Sequence, residues 1–231
     1  MEAQRSEAWF QARAGRITAS RMCDVMAFSA VGDGVYKSGP RKGQPRIAEP
    51  LKARTDYVKQ LTAERITGHA KAEVKASALD WGKQWEPVAW QQYEERTGLI
   101  VTAAPFVVHP QYDFIGASAD AFIGDDGGGE SKCPFDQEVH LATLIDGLPS
   151  EHIEQIQGCM WVTCRQWWDF ISFHPAFPGD LCLYIQRVKR DDAYIAQLES
   201  ACLSLNAEVE SIVSELRARM LANNANRADA A

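Results

Sequence analysis

Hydrophobic residues recur at helical spacing in the first and last parts of the chain. Apolar positions three or four residues apart predict helices over residues 54–67 and 76–97, and a long amphipathic helix that begins near Asp191. Two shorter helices are predicted within residues 7–27, where Gly15 separates them. Both ends of the chain are therefore predicted to be helical.

The middle of the chain has the pattern of a β-sheet. Apolar and β-branched runs predict strands at residues 99–102, 105–109, 112–117, 167–173 and 181–188, and around Asp120 and Glu130. Two helical segments, residues 137–147 and 150–164, interrupt these strands. Because helices precede, interrupt and follow one group of strands, we predict an α/β fold with a central mixed sheet flanked by helices.

Length and composition fit one folded domain. The 231 residues are 46% hydrophobic and 24% charged, as in globular proteins, and we expect a single domain over residues 1–222 and a disordered tail over residues 223–231. No apolar run has the length of a membrane span and the N-terminus has no apolar signal core, so a cytoplasmic protein without membrane contact is expected. The six cysteines form no C-x-x-C pair, so neither a zinc ribbon nor a redox dithiol is indicated.

The distribution of charge matters more than the net charge of −7, which by itself opposes nucleic-acid binding. Between Lys37 and Arg54 the chain has six basic side chains and one acidic residue, Glu49, in a segment rich in glycine and proline. Residues 29–53 are therefore predicted to form a flexible basic loop. Such a loop either contacts DNA phosphates or is only solvated, and the sequence leaves both alternatives open.

One short spacing carries candidate chemistry. Asp120 is followed ten positions later by Glu130 and then by Lys132, with a Gly/Asp-rich turn at residues 124–129 between them. A hairpin would place Asp120 across from Glu130, and Lys132 would share the face of Glu130. Two carboxylates beside an ammonium suit Mg²⁺ or Mn²⁺ and an attacking water. The same residue types also occur on solvated strand faces, so the spacing alone does not distinguish a metal site from a solvated surface.

Five sequence blocks give this spacing a context. In chain order they are residues 8–20 (AWFQARAGRITAS), 78–86 (ALDWGKQWE), 116–120 (GASAD), 129–134 (GESKCP) and 155–161 (QIQGCMW). Together the blocks resemble the bacteriophage lambda exonuclease family of phage and prophage recombination nucleases. That family belongs to the PD-(D/E)xK superfamily, so the resemblance implies a restriction-endonuclease-like fold.

The resemblance implies a Mg²⁺-dependent exonuclease with two bound ions, for which Mn²⁺ could substitute. Its substrate would be double-stranded DNA with free ends, with a preference for 5′-phosphorylated ends. It would resect the 5′-ended strand to 5′-mononucleotides and leave a 3′ overhang. The same family implies a homotrimeric ring and a phage single-strand annealing protein as partner.

The family motif also implies a role for each matching residue of the centre. Asp120 and Glu130 would be metal ligands together with the backbone carbonyl of Ser131, and Lys132 would serve the attacking water. Glu86 matches a helix carboxylate near the metal ions. The centre would thus combine a helix with a hairpin.

Two other groups of residues match functional positions of the family. Arg13, Ser20 and Ser118 match a pocket for the 5′-terminal phosphate, for which a guanidinium and hydroxyls are suitable donors. Arg13 taken alone is equally compatible with a surface salt bridge. Gln155 and Gln157 match the helix that holds an active-site glutamine, and Gln155 aligns better.

The chain departs from the family pattern at several positions. Ala119 replaces the usual proline before the first aspartate, Ser131 replaces an apolar residue, and His152 stands where tyrosine is frequent. Two other functions are compatible with the sequence: a structure-specific DNA endonuclease of the same superfamily and a non-catalytic DNA-binding recombination scaffold. The intact acidic motif disfavours the scaffold, and the phosphate-pocket residues disfavour the endonuclease.

Overall fold

The computed structural model describes residues 6–31, 34–71 and 77–228, without the side chains of residues 77–79 and 224–228. These residues form helices α1 (Glu7–Arg13), α2 (Met22–Val25), α3 (Lys52–Thr67), α4 (Ser77–Thr97), α5 (Gln137–Asp146), α6 (Ile153–Thr163) and α7 (Asp192–Ala228). The strands are β1 (Ile17–Thr18), β2 (Val101–Ala103), β3 (Phe106–Val108), β4 (Ile115–Ser118), β5 (Ala121–Ile123), β6 (Gly127–Lys132), β7 (Trp167–Phe173) and β8 (Leu183–Lys189). Their order follows the prediction, except that the short strand β1 lies inside the first helical segment.

The strands form two sheets. Strands β2, β5, β6, β7 and β8 lie side by side in this order, with β6 and β7 parallel and the other pairs antiparallel. Strands β1, β4 and β3 form a smaller sheet. The mixed sheet with flanking helices is confirmed, but it is divided at residues 119–120, where the chain passes from β4 to β5.

Hydrophobic clusters cover both faces of the five-stranded sheet. Phe170 of β7 belongs to a cluster with α6 and α7, whereas its neighbour Ile171 belongs to a cluster with α4. Because successive strand residues point to opposite faces, α4 and α6 lie on opposite sides of the sheet. Glu86 on α4 and Gln155 on α6 therefore approach the sheet from opposite sides.

Three consecutive glycines lie in a strand rather than in the predicted turn. Residues 124–126 form the turn, and residues 127–129 pair with β5 as the start of β6. A Cβ atom on these three glycines would lie only 2.1 to 2.4 Å from the indole rings of Trp167, Trp168 and Trp90, respectively. Close packing of indoles on the strand, and not chain reversal, is what requires glycine here.

The end of the predicted basic loop is helical, because α3 begins at Lys52. Arg54 is 5% exposed, and its Nη1 lies 2.7 Å from Oε2 of Glu208 on α7. Arg54, counted among the basic side chains of that segment, lies in the helix predicted over residues 54–67, and its ion pair holds α3 against α7. Within the loop, Arg41 forms an ion pair with Glu49.

Helix α7 is longer than predicted. It continues to Ala228 and so includes residues 223–228. Residues 229–231 lie outside the described residues, and the disordered tail stays a prediction there. Among the described helices, none is both long and apolar enough to cross a membrane.

Candidate active site

Asp120 lies at the junction of the two sheets, directly before β5. Strands β5 and β6 pair with Ala121 opposite Gly129, and the same register brings Asp120 opposite Glu130. The predicted hairpin relationship between the two carboxylates is therefore confirmed.

Lys132 contacts Glu130 directly. Its Nζ lies 2.6 Å from Oε1 of Glu130, whose residue is 3% exposed. The other carboxylate oxygen, Oε2, is buried and has no hydrogen-bond partner in the described part of the chain. Strand alternation thus places both side chains on one face, as predicted, and leaves one buried anionic oxygen to be satisfied by a ligand.

Ser131 fixes the position of Asp120. Its backbone N–H donates to Oδ2 of Asp120 at 2.8 Å, and its hydroxyl donates to the same oxygen at 3.2 Å. These bonds hold the Asp120 carboxylate against β6, beside the backbone whose carbonyl is the expected third metal ligand.

The acidic residues of the centre raise the pKa values of Asp120 and of Lys132. Burial, followed by the negative charges of Glu130 and Glu86, raises the pKa of Asp120 well above its ordinary value. Burial opposes the charge of Lys132, but the carboxylates of Glu130 and Asp120 outweigh it and raise the pKa of Lys132 to about 12. The centre therefore holds more negative charge than its one ammonium can balance.

Helix α4 brings Glu86 to the centre along an open cleft. Glu86 and Asp120 both line this cleft, which has a volume of about 480 Å³, together with Lys83 and Trp90. The predicted helix carboxylate is thus close enough to Asp120 to raise its pKa. Both carboxylates are open to solvent on this side.

The donor set fits Mg²⁺ in its chemistry. The unpartnered oxygen of Glu130 and the raised pKa of Asp120 are both relieved by a nearby cation. Among the described side chains, no group of three or more His, Cys, Asp or Glu already stands in metal-binding geometry, so Glu86 does not complete a ready three-carboxylate site. One or two carboxylates with water and substrate oxygens suffice for Mg²⁺.

The three predicted phosphate-pocket residues are joined through Trp9. Nη2 of Arg13 lies 3.5 Å from Oγ of Ser20, and the guanidinium lies 4.3 Å from the centroid of the Trp9 ring. Nε1 of Trp9 donates to Oγ of Ser118 at 3.0 Å. The structure thus brings the predicted residues into one network.

Trp9 was missed by sequence reasoning, which treated it as part of a helical hydrophobic pattern. Its only signal was its place in the first of the five blocks. Beside the network lies a cavity of about 100 Å³ whose charged lining residues are Arg13, Arg16, Arg21 and Lys71 with one acidic residue, Glu64. Such a concentration of positive charge suits an anion.

Gln157 does not reach the acidic centre. Its Nε2 donates to the carbonyl of Lys189 at 2.9 Å, and its Oε1 accepts from the backbone N–H of Asp191 at 3.0 Å. Lys189 pairs with Trp167 at one end of the sheet, whereas Lys132 pairs with Ser172 near the other end. The structure therefore does not bring Gln157 together with the acidic residues: its amide holds the junction of β8 and α7.

Gln155 lies on the side of α6 that faces the centre. It follows His152 by three residues and precedes Cys159 by four, so the three share one helix face. The His152 ring stacks on Phe170 at 5.3 Å between centroids, and Phe170 is the strand partner of Glu130. His152 is thus packed against the sheet beside the centre.

Comparison with known proteins finds relatives over most of the chain. Residues 46–166 match the family model of the YqaJ-like viral recombinase domain. An alkaline exonuclease from Laribacter hongkongensis is 34% identical with a TM-score of 0.79, over 94% of this chain and 98% of its own, and it has also been solved in complex with dAMP. A phage-related exonuclease from Haemophilus somnus, 14% identical with a TM-score of 0.64 over 87% of this chain and 96% of its own, shares the fold. No curated protein matches the chain.

The mixed sheet between helices, with acidic residues on a central hairpin, has the restriction-endonuclease-like fold of phage exonucleases. The chain belongs to the YqaJ-like viral recombinase family. The resemblance to the lambda exonuclease family, predicted from five sequence blocks, is confirmed.

Proposed function

We propose that this protein is a Mg²⁺-dependent exonuclease that resects the 5′-ended strand of double-stranded DNA and leaves a 3′ overhang for recombination. The position of Asp120 carries the proposal. It stands opposite Glu130 across the hairpin and two residues after Ser118, which belongs to the network of Arg13. A candidate cleavage centre and a candidate phosphate pocket therefore adjoin. The name of the Laribacter relative, an alkaline exonuclease, supports the same reaction.

Lys132 would serve the attacking water. In the metal-free protein, despite burial, the carboxylates of Glu130 and Asp120 raise the pKa of Lys132 to about 12, so its ammonium can donate hydrogen bonds that orient the water. Gln155 on α6, which approaches from the side of the sheet opposite to Glu86, would add a neutral donor and acceptor. Glu86 would contribute a further negative charge at the mouth of the cleft.

Asp120, Glu130 and the Ser131 carbonyl would hold the metal, with Glu86 as an additional acid and two ions as the proposed number. Divalent ions supply activation of water, neutralisation of the phosphoryl oxygens and stabilisation of the leaving oxyanion. The buried Oε2 of Glu130 supports this assignment, because it lacks a partner among the described residues.

Anchoring of the terminal phosphate would set the direction of degradation. Arg13 would bind the 5′-phosphate with Ser20 and Ser118, and Trp9 would hold the guanidinium and the Ser118 hydroxyl in place. The enzyme would then prefer 5′-phosphorylated ends and release 5′-mononucleotides.

The resemblance to the lambda exonuclease family supports a homotrimeric ring and a phage single-strand annealing protein as partner. The description of the matching family as a viral recombinase domain supports the recombination context. Sedimentation should give the mass of three 25.7-kDa chains, and a purely monomeric protein at micromolar concentration would contradict the ring.

The decisive assay uses linear duplexes labelled at either end, with and without a 5′-phosphate, in Mg²⁺ or EDTA. Label on the 5′-ended strand should be released as mononucleotide in Mg²⁺ only, and faster from phosphorylated ends. Release from 3′ ends first would overturn the direction. Cutting of closed circular DNA would favour the structure-specific endonuclease.

A further inference from the structure

The strand that carries Lys132 continues into an exposed aromatic ring. Cys133, Pro134 and Phe135 follow Lys132, and Phe135 is 56% exposed. Three residues of extended chain span at most about 11 Å. The Phe135 ring therefore stands within a few nucleotide lengths of the candidate cleavage centre.

Phe135 is held in place although its ring is exposed. The ring meets the Trp81 ring edge-on, with centroids 5.4 Å apart and an interplanar angle of 76°. Nε1 of Trp81 donates to the carbonyl of Pro134 at 2.9 Å, and Nε2 of His174 lies 3.4 Å from the carbonyl of Phe135. A ring fixed in this way loses little conformational entropy when another molecule packs on it.

The support of Phe135 comes from the two elements that carry the acidic residues. Phe135 follows the end of β6, which holds Glu130, by three residues, and Trp81 lies five residues before Glu86 on α4. Five residues of helix rise about 7.5 Å. The ring is therefore held near the candidate centre by the helix that carries Glu86 and by the segment that follows the strand of Glu130.

We infer that Phe135 stacks on a base of the DNA strand that is being cut, within about three nucleotides of the scissile phosphate. The inference rests on the proposed cleavage of DNA at Asp120 and Glu130. A stacked strand advances about 3.4 Å per nucleotide, which matches the reach of the ring. Every base offers a π face, so an aromatic platform holds the strand without regard to its sequence, as an exonuclease requires.

The test removes the Phe135 ring and single DNA bases, separately and together. Duplexes carry a single abasic nucleotide at each of the positions nearest the scissile bond, one position per duplex. Phe135→Ala should lower kcat/KM on intact DNA about tenfold, mainly through a higher KM. One abasic position should lower the wild-type value by a similar factor and should have little further effect in Phe135→Ala. This loss of additivity identifies the partner base.

Two further variants separate stacking from loss of apolar surface. Phe135→Trp should keep near-normal KM, whereas Phe135→Leu, which remains apolar, should behave like Phe135→Ala. Ile145→Ala removes a side chain that is 72% exposed on α5 and should leave KM unchanged. Equal defects in Ile145→Ala, additive losses at every abasic position, or normal kinetics of Phe135→Ala would overturn the inference. A wild-type protein that does not cut intact duplex would instead contradict the proposed function.

Discussion

Lys132 satisfies only one of the two carboxylate oxygens of Glu130: its Nζ lies 2.6 Å from Oε1, while Oε2 is buried without a partner among the described residues. A buried polar atom without a hydrogen bond costs about 1–3 kcal/mol. A purely structural ion pair would gain from a second donor at this oxygen. The half-satisfied pair is therefore the pattern expected of a residue that binds a ligand.

Glu130→Gln removes the negative charge and nearly keeps the shape. We expect the rate of duplex degradation to fall about a thousandfold, because the amide is a poor ligand for a hard cation. Duplex binding, measured by fluorescence anisotropy, should be largely retained. Glu138→Gln, at an exposed position of α5, is the matched control and should cut normally. Near-normal turnover of Glu130→Gln would contradict the assignment of Glu130 as a metal ligand.

Arg13→Gln should abolish discrimination between 5′-phosphorylated and 5′-hydroxyl ends. The guanidinium is the charged member of its network with Ser20, and charge-assisted bonds to phosphate contribute most of the preference. The ratio of initial rates on the two ends is the readout, and it should fall about tenfold or more. Arg219→Gln, an exposed change on α7, should keep the ratio. An unchanged ratio in Arg13→Gln would mean that the terminal phosphate is bound elsewhere.

Asp120→Asn should raise the thermal stability of the metal-free protein at neutral pH while it abolishes activity. The folded-state pKa of Asp120 is raised, so its stabilising contribution is present below the ordinary aspartate pKa and is lost as the pH rises through the folded pKa. Asparagine avoids this loss. For a chain of this size each kcal/mol changes Tm by about 2–4 °C. A lower Tm for the variant in EDTA would contradict the electrostatic account.

Gln155→Ala and Gln157→Ala should have opposite effects. Gln157→Ala removes two backbone-directed hydrogen bonds and should lower the free energy of unfolding by about 1–3 kcal/mol. Its specific activity at low temperature should stay near normal. Gln155→Ala should lower kcat and leave denaturant unfolding unchanged. A lower kcat with unchanged stability for Gln157→Ala would instead support a catalytic role for Gln157.

Gly128→Ala should destabilise the fold by about 1–3 kcal/mol, because the new Cβ would lie 2.2 Å from the Trp168 ring. Gly82→Ala in α4 is the control, since no described atom outside its own helix lies within 4 Å of the added Cβ. That change should stabilise the protein by about 0.5–1 kcal/mol. Urea unfolding of both variants measures the difference, and equal stability would show that the indole shifts freely.

The relation among Asp120, Glu130 and Lys132 could be predicted from the sequence because it depends on local rules. Strand alternation and a short hairpin are visible in the spacing of the residues. The side of α6 that faces the centre could not be predicted from the sequence. It depends on how α6 is rotated against the sheet, and this rotation alone decides which of Gln155 and Gln157 faces the centre.

The glycines at residues 127–129 show a second limit of the sequence. Glycine marks a turn and a closely packed strand equally well, and only the positions of Trp90, Trp167 and Trp168 distinguish the two. Arg54 shows a third. A basic residue in a basic segment is expected to be solvated, but Arg54 pairs with Glu208, which lies 154 positions later in the sequence.

A single residue, Ala119, separates Ser118 from Asp120 where the chain crosses from one sheet to the other. Because two peptide units join Ser118 to Asp120, the Cα atoms of the two residues are at most about 7 Å apart. With the terminal phosphate on Ser118 and the cut at Asp120, the backbone itself would keep the two sites at a constant separation. The enzyme would then advance by a constant step in every cycle, whatever bases pass through it.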